Sequence, residues 1–194
     1  FSCFLNMIYA VKETSSVKKM VYAASSSTYG DSKTLPKVEH TIGKPLSPYA
    51  ITKYVNELYA DVFAKTYGMD IIGLRYFNVF GPKQSPKGAY AAVIPLFASA
   101  LLKEEQPTIN GDGGQTRDFT FVENAVQANI RAFFAETSGS EVYNIAFGEN
   151  ISLNTLWHEL KRLSSSTTEA KYGPERRGDI RDSLANIEKA RTEI

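Results

Sequence analysis

The chain has little of what marks a secreted, membrane or nucleic-acid-binding protein. It holds one cysteine, Cys3, in 194 residues, which excludes an internal disulfide and fits a reducing cytoplasm. Cys3 itself reads as a small apolar residue of a buried helix. No apolar run approaches the ~20 residues of a membrane span, and no basic start with a cleavage site marks a signal peptide. The formal net charge is +1, and basic residues never cluster beyond adjacent pairs, which argues against nucleic acid as the main partner. His40 and His158 are the only histidines and neither has ligand-like neighbours, so no metal site is assigned. There is no internal repeat, and no Gly-x-x-Gly-x-x-Gly turn occurs anywhere. What remains, with 43% hydrophobic residues, is enough to bury a core as a soluble, cytoplasmic domain.

Hydrophobic spacing places the elements. Phe1, Phe4, Leu5, Ile8 and Val11 recur at helical intervals, and Lys19 to Ala24 is a short apolar run that ends in Ser25-Ser26-Ser27, as in a buried parallel strand whose C-terminal end opens onto a site. After a loop rich in proline, a helix is expected from Tyr49 to Tyr67, stopped by Gly68. Asp70 to Arg75 reads as a strand, and a helix from Ala91 to Lys103 keeps Pro95 near its first turn. Thr108 to Asn110 and Arg117 to Phe121 read as strands, Val122 to Glu136 as a helix and Val142 to Ile145 as an apolar strand. A helix from Leu153 to Leu163 precedes an exposed Ser/Thr turn, and a last helix is expected from Leu184 to the end. Strands alternating with helices imply βαβ units and a mostly parallel sheet.

Within that frame, Tyr49 and Lys53 stand one helical turn apart behind Ser47-Pro48. Ser47 is a good N-cap and Pro48 a good first helical residue. Spacing of i, i+4 puts both side chains on one face, where a nearby cation and the helix N-terminus both favour a phenolate. A tyrosine so placed is a candidate general base. The spacing also occurs by chance: Tyr29 and Lys33 share it, but Gly30-Asp31-Ser32 between them is turn chemistry.

Three ordered motifs lift the pair above chance. The run Tyr22-Ala23-Ala24-Ser25-Ser26-Ser27-Thr28-Tyr29-Gly30, then Ser47-Pro48-Tyr49 with Lys53, then Arg75-Tyr76-Phe77-Asn78-Val79-Phe80-Gly81-Pro82 resembles the extended short-chain dehydrogenase/reductase family. Within it the chain is similar to the NAD-dependent nucleotide-sugar 4-epimerases. Gln84 and the run Gly88 to Pro95 make it most similar to the bacterial UDP-N-acetylglucosamine 4-epimerases.

The resemblance implies an α/β fold with a Rossmann-like parallel sheet and a small C-terminal α/β substrate-binding portion. Residues 1–81 would be a partial NAD-binding domain. Residues 82–194 would mainly bind the nucleotide sugar, with 117–147 returning to the sheet. Ser25 would be the catalytic serine, Tyr49 the base and Lys53 its cationic support, with Ala23, Tyr49, Lys53 and Tyr76 at the NAD cofactor. Ser25, Ser26, Ser27, Asn78, Gln84, Ala92, Val93, Arg117, Arg176, Asp179 and Ser183 would line the substrate. Asn78, Arg117 and Arg176 belong to its diphosphate, Val93 to the uracil and Asp179 to the ribose, while Arg177 is left as surface. Ser183 falls where the family sets substrate size, and a small residue there admits a 2-acetamido group; Ser183 also reads as an N-cap for the last helix. Dehydratase relatives carry an Asp-Glu pair where Ser26 and Ser27 stand, since loss of water needs a further acid and base. Simple oxidation and return of a hydride is therefore the reading.

The resemblance thus implies C4 epimerisation of a UDP-sugar, UDP-GlcNAc/UDP-GalNAc, with UDP-glucose or UDP-glucuronate as alternatives. A non-catalytic nucleotide-sugar-binding module is the alternative from another class. The family's Gly-rich pyrophosphate turn is missing, and Gly111-Asp112-Gly113-Gly114 precedes a strand and cannot replace it. The sequence is therefore expected to be a fragment, inactive by itself. Family members pair as homodimers through helices matching Phe1 to Val11 and Tyr49 to Tyr67; no membrane or nucleic-acid partner is implied.

Overall fold

Alternation along two adjacent strands organises the molecule, seen in a computed structural model that describes residues 2–87, 92–175 and 180–194. Strands β1 (Lys19–Ser25), β2 (Asp70–Tyr76) and β7 (Ser140–Ile145) form a parallel sheet in the order β1-β2-β7. Tyr22, Ala24 and Ile71 pack on one face with Ile8 of helix α1 (Ser2–Glu13) and with Ala60, Phe63 and Ala64 of helix α2 (Pro48–Tyr67). Ile72, Leu74, Tyr143 and Ile145 pack on the other face with Ala132 of helix α4 (Val122–Phe134). A sheet covered on both faces needs apolar residues at successive positions, which is why β2 is buried from Ile71 to Arg75.

The ends of α2 follow from its sequence. The Ala50 amide donates to Ser47 Oγ at 3.1 Å, Pro48 occupies the first turn, and Gly68 closes the helix in the left-handed region at φ 67. These are an N-cap and a glycine stop. Ala60 and Ala64 let the helix lie close on the sheet.

A second core joins Phe97 and Leu101 of α3 (Val93–Leu102), Ile109 of β4 (Thr108–Asn110) and Leu153, Leu156 and Trp157 of α5 (Leu153–Ser164). Strand β4 pairs in parallel with β9 (Lys171–Gly173), a partner the local sequence did not reveal.

Three expectations change. The strand expected from Arg117 to Phe121 is two short pieces: β5 (Thr116–Arg117), antiparallel to β8 (Ile151–Ser152), and β6 (Thr120–Phe121), parallel to β3 (Val79–Phe80). Asp118 divides them, because its fully buried carboxylate accepts the amides of Phe147, Gly148 and Ala185. The last helix is α6 (Glu188–Glu193) and does not begin at Leu184. Leu184 and Asn186 instead exchange backbone bonds with Lys37, so a non-local pairing overrides helical spacing. Cys3 is exposed, facing away from the core rather than into it. Helix α3 begins at Val93, while the start expected at Ala91 lies outside the described residues. Among the described residues, no helix is long and apolar enough to cross a membrane.

Candidate active site

All three parallel strands deliver their C-terminal ends to one edge, the edge where open α/β sheets hold ligands. Ser25 ends β1 and is in register with Tyr76 at the end of β2, which in turn faces Ile145 at the end of β7. The chain then turns through a 3-10 helix, Ser26–Tyr29. Ser25 Oγ accepts from the Ser27 amide at 3.2 Å and from the Ser27 hydroxyl at 2.9 Å. With both acceptor positions engaged, the Ser25 hydroxyl hydrogen is left to donate outward.

Helix α2 brings the other two groups. Lys53 Nζ donates to the Ala23 carbonyl at 2.8 Å and stands 5.7 Å from the Tyr49 ring centroid. The contact ties the helix to β1 two residues before Ser25. Tyr49 is 56% exposed, so its phenol is open to an incoming ligand. Tyr76 is held by Asn129 Nδ2, which donates to its hydroxyl at 2.7 Å. Burial pushes the Tyr76 phenol above its ordinary range, and the Asn129 bond offsets part of that.

A groove of about 560 Å³ lies between the segment Asn78 to Phe80, which follows β2, and helix α3 with β4. Its wall includes Asn78, Ala92, Val93 and Arg117. Asn78 has φ 33, a left-handed conformation that Asn tolerates, and its amide donates to the Asp118 carbonyl at 2.8 Å. Arg117 donates to the Thr116 carbonyl at 2.8 Å. The groove wall does not include Ser25, Tyr49 or Lys53. Among the described residues β1 pairs with β2 alone, and Tyr49 is exposed.

Gln84 is turned onto the Val79 carbonyl at 3.1 Å, beside the groove and not on its wall. Ser183 lies in the loop between Arg181 and Leu184, also off the wall. It does not cap the last helix, whose N-cap is Ile187, so that half of its reading fails. Arg176 and Asp179, like Arg177, lie outside the described residues. Tyr29 is buried, with its hydroxyl on Asn144 Oδ1 at 2.6 Å, and Lys33 is exposed.

Two arrangements escaped sequence reasoning. Asp118 gathers the segments around Asn78 and Arg117; burial raises its carboxyl above the usual range, opposed by the three amides it accepts. Arg75 in β2 forms a buried bidentate pair with Glu57 of α2, at 2.9 and 2.7 Å. An arginine directly after the apolar run Ile71 to Leu74, and a glutamate four residues past Lys53, were the available signals.

A parallel Rossmann-like sheet with serine at a strand end and Tyr-x-x-x-Lys on the following helix defines the extended short-chain dehydrogenase/reductase class. Residues 2–146 match the NAD dependent epimerase/dehydratase family, and the chain belongs to it. Its sequence is 38% identical over 175 residues to a putative UDP-glucose 4-epimerase of Methanocaldococcus jannaschii, covering 90% of this chain and 56% of that protein. The fold superposes with TM-score 0.93 on the UDP-N-acetylglucosamine 4-epimerase of Methanobrevibacter ruminantium in complex with UDP-N-acetylmuramic acid, at 40% identity over 97% of this chain and 60% of that one. With the UDP-glucuronic acid 4-epimerase of Bacillus cereus, solved with UDP-glucuronic acid and NAD, the TM-score is 0.89 at 30% identity, over 99% of this chain and 60% of that one. The chain thus spans between half and two thirds of the length of these relatives.

Proposed function

We propose that the protein carrying this chain epimerises C4 of a UDP-sugar through a transient 4-keto sugar, with UDP-GlcNAc and UDP-GalNAc as the substrate pair. The observation that carries this is Lys53, fixed on the Ala23 carbonyl at 2.8 Å and 5.7 Å from the Tyr49 ring, beside Ser25. A binding module needs no such cation held beside an exposed phenol.

The residues present fit the nicotinamide-ribose end of NAD. Ala23 is small and exposed, Lys53 of α2 donates to its carbonyl, and Tyr76 stands in register with Ser25 two residues further on. They do not fit its pyrophosphate, since the sequence has no Gly-rich turn opening a helix. When bound, NAD supplies the acceptor and donor of the C4 hydride. Tyr49 accepts the 4-hydroxyl proton as the sugar is oxidised and returns it after the ring has turned. Ser25, with its hydrogen free to donate, bridges the 4-oxygen and the phenol. Lys53 stabilises the negative charge that develops on Tyr49. Ser26 and Ser27 supply no further acid or base, which favours return of the hydride over loss of water.

Residues 82–194 would hold most of the nucleotide sugar, and residues 1–81 with 117–147 the cofactor side. In the groove, Asn78 and Arg117 would meet the diphosphate and Ala92 and Val93 the base, with Gln84 behind them. Arg176 and Asp179 are assigned by resemblance alone. The small side chain of Ser183 supports a 2-acetamido group on the sugar. Exposed Met7 and Tyr9 on α1 and Ile51, Leu58 and Val62 on α2 support a homodimer through these helices.

The full-length protein should interconvert UDP-GlcNAc and UDP-GalNAc faster than it does UDP-glucose or UDP-glucuronate. A rate ratio favouring either of those sugars refutes the N-acetyl assignment, and no turnover of any of the three refutes the activity.

A further inference from the structure

Among the described residues, one buried polar network touches none of the proposed reacting groups. Glu57 stands on α2 one turn beyond Lys53 and two beyond Tyr49. It receives both Nε and Nη2 of Arg75, at 2.9 and 2.7 Å. The side chains are only 6% and 4% exposed. Arg75 is also held by two other segments: Nη1 donates to the Glu39 carbonyl at 2.9 Å, and the guanidinium lies 4.9 Å from the Tyr29 ring centroid. Tyr29 ends the 3-10 turn that starts directly after Ser25. Its hydroxyl donates to Asn144 Oδ1 on β7, whose backbone amide donates in turn to the Glu39 carboxylate.

Stability alone does not explain such a pair, because a buried ion pair is commonly no more stabilising than apolar groups of similar volume. Burial works against the Arg75 charge, and the two Glu57 hydrogen bonds with the Glu57 charge more than offset it, holding the guanidinium above its ordinary value. What a bidentate pair adds over an apolar contact is direction and distance. Here it fixes α2, which carries Tyr49 and Lys53, against β2 and against the turn that carries Ser25. Arg75 is in register with Ala24, between the Ala23 that Lys53 grips and Ser25 itself.

We infer that Glu57 and Arg75 are positioning residues: their buried pair sets the helix bearing Tyr49 and Lys53 at its working distance from Ser25. This rests on the proposed acid/base roles of those three residues. With both side chains almost wholly buried, the pair presents no surface to a ligand, so removing it acts on turnover and leaves ligand binding in place.

The test uses the full-length protein with the apolar double substitution Glu57→Met/Arg75→Met, of similar side-chain volume. Its thermal midpoint should stay near that of the parent, and KM for UDP-GlcNAc and calorimetric UDP affinity should stay within about threefold. Turnover should fall about 10- to 100-fold, the scale on which small misplacements of reacting groups act. In its crystal structure the Lys53 Nζ to Ala23 carbonyl distance should exceed the 2.8 Å seen here. A folded double variant with parental turnover and an unchanged Lys53–Ala23 contact overturns the inference. If that variant does not fold, Arg75→Lys decides by the same criteria, since it keeps the charge and loses the bidentate geometry. Tyr49→Phe, run alongside, separates two failures. If it abolishes turnover while the pair variants do not lower it, only the positioning role is wrong. If Tyr49→Phe leaves turnover intact, the proposed base is wrong, and the Lys53–Ala23 distance in the pair variant alone decides the positioning role.

Discussion

Gly73→Ala is expected to destabilise the sheet at the level of the proposed active site. Gly73 in β2 is in register with Tyr22 in β1. A Cβ at position 73 would meet Tyr22 Oη at 2.6 Å, Cζ at 2.7 Å and Cε1 at 3.1 Å, against roughly 3.5–4.0 Å for an ordinary contact. The rigid ring cannot swing clear. Tyr22 is 7% exposed, stacks edge-on against Phe4 at 5.0 Å and sits among Ile8, Ala60 and Phe63. Overpacking of this kind costs about 1–3 kcal/mol. Loss of glycine from the unfolded chain returns about 0.4–1 kcal/mol. The net centres on about 1.3 kcal/mol, or a fall in Tm of roughly 3–5 °C for a domain of this size. Because Ala23 follows Tyr22 and carries the carbonyl that Lys53 grips, turnover should fall as well. Urea titration and thermal melts measure the stability change in the full-length protein. In the double variant Gly73→Ala/Tyr22→Leu the shorter side chain frees the space, so the two costs should be less than additive. A Gly73→Ala protein as stable as the parent, or strictly additive costs in the double, would refute the close-approach reasoning.

Two further outcomes follow from local geometry. Asp112 accepts both Nη1 and Nη2 of Arg181, at 2.9 and 3.0 Å, and the Gly114 amide at 2.8 Å. The Arg181 hydrogen bonds, first, and then the Gly114 amide hold its carboxyl at about 2. A carboxyl whose folded value is depressed stabilises above its unfolded value and loses that contribution as pH falls through the folded one. The Tm gap between parent and Asp112→Asn should therefore be present at neutral pH, narrow with added salt and close as pH falls toward about 2; a gap that persists there contradicts the assignment. Ser47→Ala removes the cap on the Ala50 amide and should cost about 1 kcal/mol in denaturant titration, whereas no loss would mean the cap is idle.

The sheet was readable because its signals are local. Lys19 to Ala24, Asp70 to Arg75 and Val142 to Ile145 are apolar runs bounded by turns, and all three are strands of the parallel sheet. Helix α2 announced both of its ends through Ser47-Pro48 and Gly68. The departures come from distant partners. Asp118 splits an apparent strand because amides some thirty and sixty-seven positions away converge on its carboxylate. Leu184 and Ala185 leave helical geometry to lie beside Lys37. Cys3 shows that a helical stripe marks one face only, with this residue on the other. At the site, Ser25, Tyr49 and Lys53 were legible from type and spacing, and the lysine's grip on Ala23 adds how they are held. The Glu57–Arg75 pair was hidden because two charges of opposite sign, eighteen positions apart, look like ordinary surface residues until the helix is laid on the strand.

In the proposed reaction Tyr49 is the group that takes the 4-hydroxyl proton. Turnover of UDP-GlcNAc to UDP-GalNAc by the full-length protein should fall at least about 100-fold in Tyr49→Phe, with UDP affinity by calorimetry unchanged. Parental turnover in Tyr49→Phe would contradict it.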